Sequence, residues 1–322
     1  MAVALEGGCR VSRWNEGQPV QSGPLRVFPQ IGRAVGAQAI SLRVLEMAPG
    51  SSPAICNAQC DEVLYVVEGE GTVILDGSPH GVGPDTAFYV APGVTLSIQN
   101  PGPDPLRLVS SRCPEPDQVT ALPLPPGHPG PSHLRSDVEQ PAPSDDEGSV
   151  QSDDESAVPS ASQDPVPSDR KGLVPSAHKE LGAVPRLRFA TLGASGAVPL
   201  VRLPDRKSES TGDRWYRVLI DEGMGSTQVT QFVGGIPPGR APDHFHLYEE
   251  VLFILAGAGR MWAGGSSAPI TAGSCIYLPR RQVHCVENTG SGELRLLGVF
   301  YPAGSPAARY DSSSPARTNA AS

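Results

Sequence analysis

Apolar and polar positions alternate through Ala39-Ile-Ser-Leu-Arg-Val-Leu-Glu46, the pattern of a strand with one buried face. Further short apolar runs follow at 62–69, 72–77, 86–90, 95–100 and 106–109. Gly, Pro and Asn close most of them, and a Gly-Glu-Gly turn at 69–71 joins the second run to the third. Nothing in this stretch repeats persuasively at helical period. Residues 19–113 therefore predict an all-β sandwich or barrel of short strands.

The pattern then disappears. Residues 114–183 contain no Phe, Trp or Tyr, and Pro and Ser supply 23 of the 70 positions. Such a segment buries too little apolar surface to offset the cost of ordering, so a disordered linker is expected. It is also too long for a structureless loop inside one domain. From Val184 the β pattern resumes, with strands predicted at 215–221, 228–233, 251–256, 259–262, 275–278, 285–288 and 294–301. Their order repeats that of the first half. The expected division is an N-terminal segment (1–18), a first barrel (19–113), the linker (114–183), a second barrel (184–305) and a flexible tail (306–322).

A chain of 322 residues is long enough for two cores. Only 5% of residues are aromatic, while Gly (36) and Pro (35) are abundant, which suits strands and turns better than a helical bundle. The net charge of −9 lies in the linker, where thirteen acidic residues face four basic ones. The rest of the chain is close to neutral and offers no basic face for nucleic acid. Ser144-Asp-Asp-Glu147 and Ser152-Asp-Asp-Glu155 read as a solvated acidic tether in preference to kinase sites. No apolar run approaches the roughly 20 residues of a membrane helix, and no secretory leader is visible, so a cytoplasmic location is expected. The six cysteines form no disulfide framework and are expected to be reduced and mostly buried.

The candidate chemistry lies between Gly239 and Asn288. His244 and His246 are one residue apart, so on a strand both point to one face. Glu250 opens the following strand, and His284 arrives from a distant one. Three neutral imidazoles and a carboxylate suit Fe(II), Mn(II), Zn, Ni or Cu, with positions left for water, substrate or O2. Phe245, Tyr248, Phe253, Cys275, Tyr277 and Cys285 are candidate pocket lining, and period two turns Cys285 away from the ion. Arg217, Arg240, Arg280 and Arg281 are candidates for binding a substrate oxyanion.

These blocks resemble the two signature motifs of the cupin superfamily. His244-x-His246-x3-Glu250-x6-Gly257 fits the first, although Gly239 precedes His244 by one residue fewer than the pattern asks. Gly273-x5-Pro279-x4-His284-x3-Asn288 fits the second throughout. The resemblance implies two small jelly-roll-like β-barrels, with metal ligands His244, His246, Glu250 and His284 on the second. Glu62-x6-Gly69 and Asn100 keep parts of the same motifs in the first half. There Cys56, Ala58 and Leu96 occupy the histidine positions, so the first barrel resembles a degenerate cupin. Cys56, Cys60 and Glu62 fall short of a substitute metal site, which leaves the first barrel structural or a metal-free pocket.

Two functions stay open at this stage. One is a metal-dependent enzyme on a small polar metabolite, of dioxygenase or isomerase/cyclase type, with Glu250 also serving as proton acceptor. The other is a non-catalytic cupin that binds a sugar or organic acid. The barrels pair either within the chain or between chains of a homodimer.

Overall fold

The structure, a computed structural model, describes residues 1–115, 120–121 and 200–308. Apart from its first two residues and a short strand at Thr120–Ala121, the expected linker lies outside the described residues, as does the tail beyond 308. What is described is all-β, with four short 3-10 turns among the described residues.

Each half forms a barrel from one large and one small antiparallel sheet. In the first, Thr86–Val90, Asp61–Glu68, Leu106–Cys113, Leu42–Met47, Leu25–Ile31 and Val20–Ser22 lie side by side in that order. The small sheet facing them centres on Gly71–Leu75 and Thr95–Asn100. In the second, Ser274–Leu278, Glu249–Ala256, Leu294–Tyr301, Thr230–Ile236, Arg214–Ile220 and Glu209–Thr211 make the large sheet. His284–Asn288, Ala258–Ala263 and Ser266–Thr271 belong to the small one.

The outermost strands are exchanged. Arg10–Arg13 pairs with Ser274–Tyr277 and so extends the large sheet of the second barrel. Reciprocally, Leu200–Arg202 pairs with Thr86–Phe88 of the first. Each barrel thereby covers a sheet edge of the other, which leaves fewer open backbone groups. The two barrels pair within the chain.

The large sheets pack face to face, and this explains their nearly continuous apolar runs. A strand buried on both faces has no polar side to show. Along Asp61–Glu68, Val63 and Tyr65 enter the shared core between the barrels, whereas Leu64 and Val66 fill the first barrel. Along Glu249–Ala256, Val251 and Phe253 enter the same shared core, and Leu252 and Ile254 fill the second barrel. Period two assigns each residue to one core or the other.

The glycine turns shared by the two halves have simple causes. Gly69 and Gly257 hold positive φ values of 82° and 89°. A Cβ would lie 2.7 Å from the Pro105 carbonyl at the first and 2.9 Å from Leu294 Cα at the second, so only glycine fits. The motif asparagines are structural. Asn288 donates to the carbonyls of Ile236 and Gly292 and accepts from Gly290 N–H; Asn100 does the same with Met47, Asp104 and Gly102. All six cysteines are unpaired, and five are buried.

Buried carboxylates tie the barrels together. Glu249 accepts from the backbone amides of Gln38 (2.8 Å) and Ala39 (2.7 Å) in the first barrel, and from Tyr277 Oη (2.5 Å). At the equivalent place in the other barrel, Tyr89 donates to Asp61, which faces the loop around Ser226 and Gln228. Hydrogen bonds to a charged acceptor each contribute more than neutral ones, and orphaned buried donors are costly. Glu249→Ala is expected to destabilise the protein by about 3–5 kcal/mol, with Glu249→Gln losing less, as measured by urea unfolding.

Candidate metal site

His244 and His284 are brought together by backbone pairing. Each amide donates to the other's carbonyl, His244 N at 3.1 Å and His284 N at 2.8 Å, which sets the two residues directly opposite one another. Arg281 N–H donates to the His246 carbonyl at 2.7 Å, so the turn before His284 also holds the His246 backbone. Arg281 adopts φ 64° there. The three imidazole centroids then lie 4.6, 4.9 and 5.1 Å apart, and one nitrogen from each ring falls within 4.8 Å of the other two.

Second contacts fix the rings. The Nδ1 atoms of His244, His246 and His284 meet the carbonyls of Pro242 (3.1 Å), Ala308 (3.0 Å) and Gln282 (2.8 Å). A carbonyl only accepts, so each neutral ring must carry its proton on Nδ1, which leaves Nε2 as the lone-pair atom. Burial, with His244 nearby, pushes His284 down to about 4, so its ring is neutral at physiological pH. The face of His246 stacks on Tyr248 at 4.6 Å and 9°, and Tyr248 stacks in turn on Phe300 at 4.2 Å.

Glu250 joins through His246, its Oε2 lying 3.5 Å from Nε2. Burial pushes the Glu250 carboxyl up to about 8, the response of a carboxyl in an apolar setting. A bound divalent ion would favour its ionised form. Three imidazoles whose Nδ1 atoms are anchored, with a buried carboxyl beside them, fit a divalent transition ion.

All four residues line a cavity of about 90 Å³. Its walls are Trp215, Phe232, Ile236, Leu252, Val286 and Leu296, with Thr211, Arg214 and Tyr216 on the edge hairpin. The aromatic and cysteine residues expected as lining lie elsewhere. Phe253, Cys275 and Tyr277 belong to the core between the barrels. Tyr248 supports His246 from behind, and Phe245 is half-buried outside the cavity wall. Cys285 accepts from Arg240 Nε at 3.2 Å, which agrees with its turning away from the histidines. Of the arginines, Arg217 donates to the Leu203 carbonyl, Arg240 stacks on Trp262, and Arg280 and Arg281 are exposed. Arg214 was not among the candidates. It stands at the turn of the edge hairpin formed by Glu209–Thr211 and Arg214–Ile220, which no local pattern announces.

Strand register locates the matching position in the first barrel. Glu62 lies opposite Arg112 as Glu250 lies opposite Phe300. Ser110 and Arg43 stand where the second barrel has Gly298 and Phe232. Glu62 accepts from Arg43 (2.6 Å), Arg112 (2.9 Å) and Ser110 (2.6 Å). The cavity there is only about 10 Å³ and has Leu96 in its wall. The set Cys56, Cys60 and Glu62 does not assemble: Glu62 is engaged by arginine, Asn57 donates to Cys60, and Cys56 reaches the Gly93 carbonyl. Burial pushes the Cys60 thiol up to about 12.

A cupin-domain family model matches residues 43–112 and 232–300, one segment in each barrel. The chain is a bicupin. Its second domain carries the intact motifs and its first a degenerate set. An oxalate-binding protein of Thermotoga maritima is 36% identical over 67 residues, 20% of this chain and 55% of that protein. An uncharacterised protein of Methanocaldococcus jannaschii is 35% identical over 54 residues, 17% of this chain and 43% of that protein. The bicupin thus spans about half the length of these curated relatives. Among solved structures, oxalate decarboxylase from Bacillus subtilis superposes with a TM-score of 0.59 at 14% identity, covering 91% of this chain and 76% of that one. The E. coli protein Ylba gives 0.59 at 9% identity, covering 93% of each chain. At such identities the likeness is one of fold.

The first site makes a prediction about acid stability. Burial pushes the Glu62 carboxyl up, but Arg43 and Arg112, with hydrogen bonds from Ser110 and Arg112, hold it below its ordinary 4.5. A depressed carboxylate contributes stability above its unfolded value and loses it as pH falls through its folded value. Glu62→Gln, which leaves two buried guanidinium groups without a counter-charge, should cost about 3–5 kcal/mol at pH 7. That deficit should shrink steadily below pH 4.5, as checked by denaturant unfolding of both proteins across pH.

Proposed function

We propose that the second cupin domain holds one divalent transition metal on His244, His246, His284 and Glu250, and that the protein is a metal-dependent enzyme acting on a small molecule bound beside the ion. The observation that supports this reading best is the anchoring of all three Nδ1 atoms on backbone carbonyls. Ordinary core histidines have no need of three coordinated tautomers. Fe(II), Mn(II), Zn, Ni and Cu all accept such donors. A bound ion supplies Lewis acidity toward an enolate or, if redox-active, O2 activation.

The chain's own residues would do the rest. Tyr248 and the Ala308 carbonyl hold His246 from two sides. Glu250 lines the cavity and would take a proton from a bound substrate when its ionised carboxylate loosens from the ion. The apolar walls exclude water. The match to a relative named for oxalate binding supports a small acid as ligand. A binding protein without turnover is the second reading, favoured by the match to an oxalate-binding protein.

Elemental analysis of anaerobically purified protein should find close to one equivalent of transition metal, and His284→Ala should reduce it to below about a tenth while the fold persists. Absence of metal from the wild-type protein would sink the reading. O2 uptake with Fe(II) or Cu then separates dioxygenase from isomerase chemistry. A binding protein, in contrast, would hold its ligand without turning it over, with or without the metal.

The segment after the last strand supplies a second test. A chain ending at Ser305 loses the Ala308 carbonyl on His246 and the Pro306 contact with the cavity. Metal affinity, measured by chelator competition, should fall by about 10–100-fold, the usual cost of removing a partner of a ligating histidine. A chain ending at Tyr310 should bind metal as the full chain does.

A further inference from the structure

The cavity beside the histidines has an uneven lining, and that unevenness bears on what fits it. Six of its walls are apolar: Trp215, Phe232, Ile236, Leu252, Val286 and Leu296. Among the described residues that line it, Arg214 is the only arginine or lysine. Its Nη2 donates to the Val286 carbonyl at 3.2 Å. Val286 is two positions along the strand from His284, a rise of about 7 Å at the spacing of extended chain. The cation is thus separated from the histidines along an apolar stretch.

Tyr216 does not add a second polar anchor. Its hydroxyl is already bonded to Glu209 at 2.8 Å. Gly234 and Gly235 also line the cavity, and at Gly235 the Trp215 ring takes the side-chain position, its Nε1 lying 2.1 Å from where a Cβ would stand. The free volume of about 90 Å³ suits a small ligand.

We propose that the ligand of this cavity is a small amphiphilic carboxylic acid. Its carboxylate rests on Arg214, its aliphatic body lies along Phe232, Leu252 and Leu296, and its other end reaches the histidines. This deepens the metal-enzyme reading by naming a substrate class for the same site. The guanidinium supplies the planar, charge-assisted contact that a carboxylate prefers. The walls give affinity in proportion to the apolar surface they remove from water. In the metal-free protein a compact dianion such as oxalate, held on Arg214, would place its second charge against hydrocarbon, where it lacks a partner.

The test is a binding series read by calorimetry on the full chain, both metal-loaded and metal-stripped. The probes are straight-chain monocarboxylates from propionate to decanoate, with oxalate and succinate as dianions. In the stripped protein, affinity should rise by about fourfold per added methylene. The rise should stop within the series and reverse by decanoate, and both dianions should bind more weakly than hexanoate. Arg214→Leu should weaken hexanoate by at least about tenfold, and Arg214→Lys should restore part of the loss, which separates a lost charge contact from a damaged fold. A flat series, dianions that bind more tightly than hexanoate in the stripped protein, or an unaltered Arg214→Leu variant would overturn the proposal. The slope comes from the walls and not from the ion. A sloped series without metal uptake therefore overturns the metal reading alone, and metal uptake with a flat series overturns this one alone.

Discussion

Two adjacent carboxylates, Glu249 and Glu250, occupy the strand where both barrels meet. The strand is buried on both faces, so period two sends the neighbours in opposite directions. Glu249 goes outward to two backbone amides of the first barrel and the hydroxyl of Tyr277. Glu250 goes inward to His246 and the cavity. A one-residue slip in register would exchange them, placing the interface anchor in the pocket and the pocket carboxyl in the shared core. The pairing of this strand with Leu294–Tyr301 and Ser274–Leu278 therefore fixes the domain interface and the candidate site together.

The same position in the first barrel shows what a buried carboxylate requires when histidines are lost. Glu62 remains, but Arg43 and Arg112 replace Phe232 and Phe300 around it. The protein itself supplies the positive charge there, and Ser110 completes the hydrogen bonding. Breaking such a buried arrangement is expensive because every remaining charge lacks solvent. In the second barrel the corresponding space is aromatic and glycyl. Gly298 is necessary to that packing, since a Cβ would lie 2.3 Å from the Phe232 ring. One site is thus closed by its own cations, while in the other burial pushes the Glu250 carboxyl up to about 8.

Much of this was legible in the sequence. The spacing of His244, His246, Glu250 and His284, and the loss of the matching residues at Cys56, Ala58 and Leu96, separated the two halves before any coordinates. The predicted strands at 251–256, 275–278 and 294–301 fall within observed ones. What stayed hidden has a common cause: it depends on which distant segments meet. Arg10–Arg13 and Leu200–Arg202 are short strands whose significance comes only from the edges they cover. The carbonyls of Pro242, Gln282 and Ala308 are backbone groups with no side-chain signature. Arg43 and Arg112 sit at ordinary strand positions, and only register shows that they converge on Glu62.

The strand exchange also explains why a barrel with a filled site is kept. Without Arg10–Arg13 the second barrel would expose the edge at Ser274–Leu278, next to the strand that carries Glu250. Without the Gln38 and Ala39 amides, Glu249 would be a buried anion reduced to its bond with Tyr277. Either loss acts directly on the strand that positions the candidate site. The first barrel contributes rigidity at that strand, and rigid support is what holds a constellation of side chains to productive geometry. Decay of its own ligands was therefore compatible with retention of its fold. The constraint on the first half is the packing face it offers, and the constraint on the second is that face plus the cavity behind it.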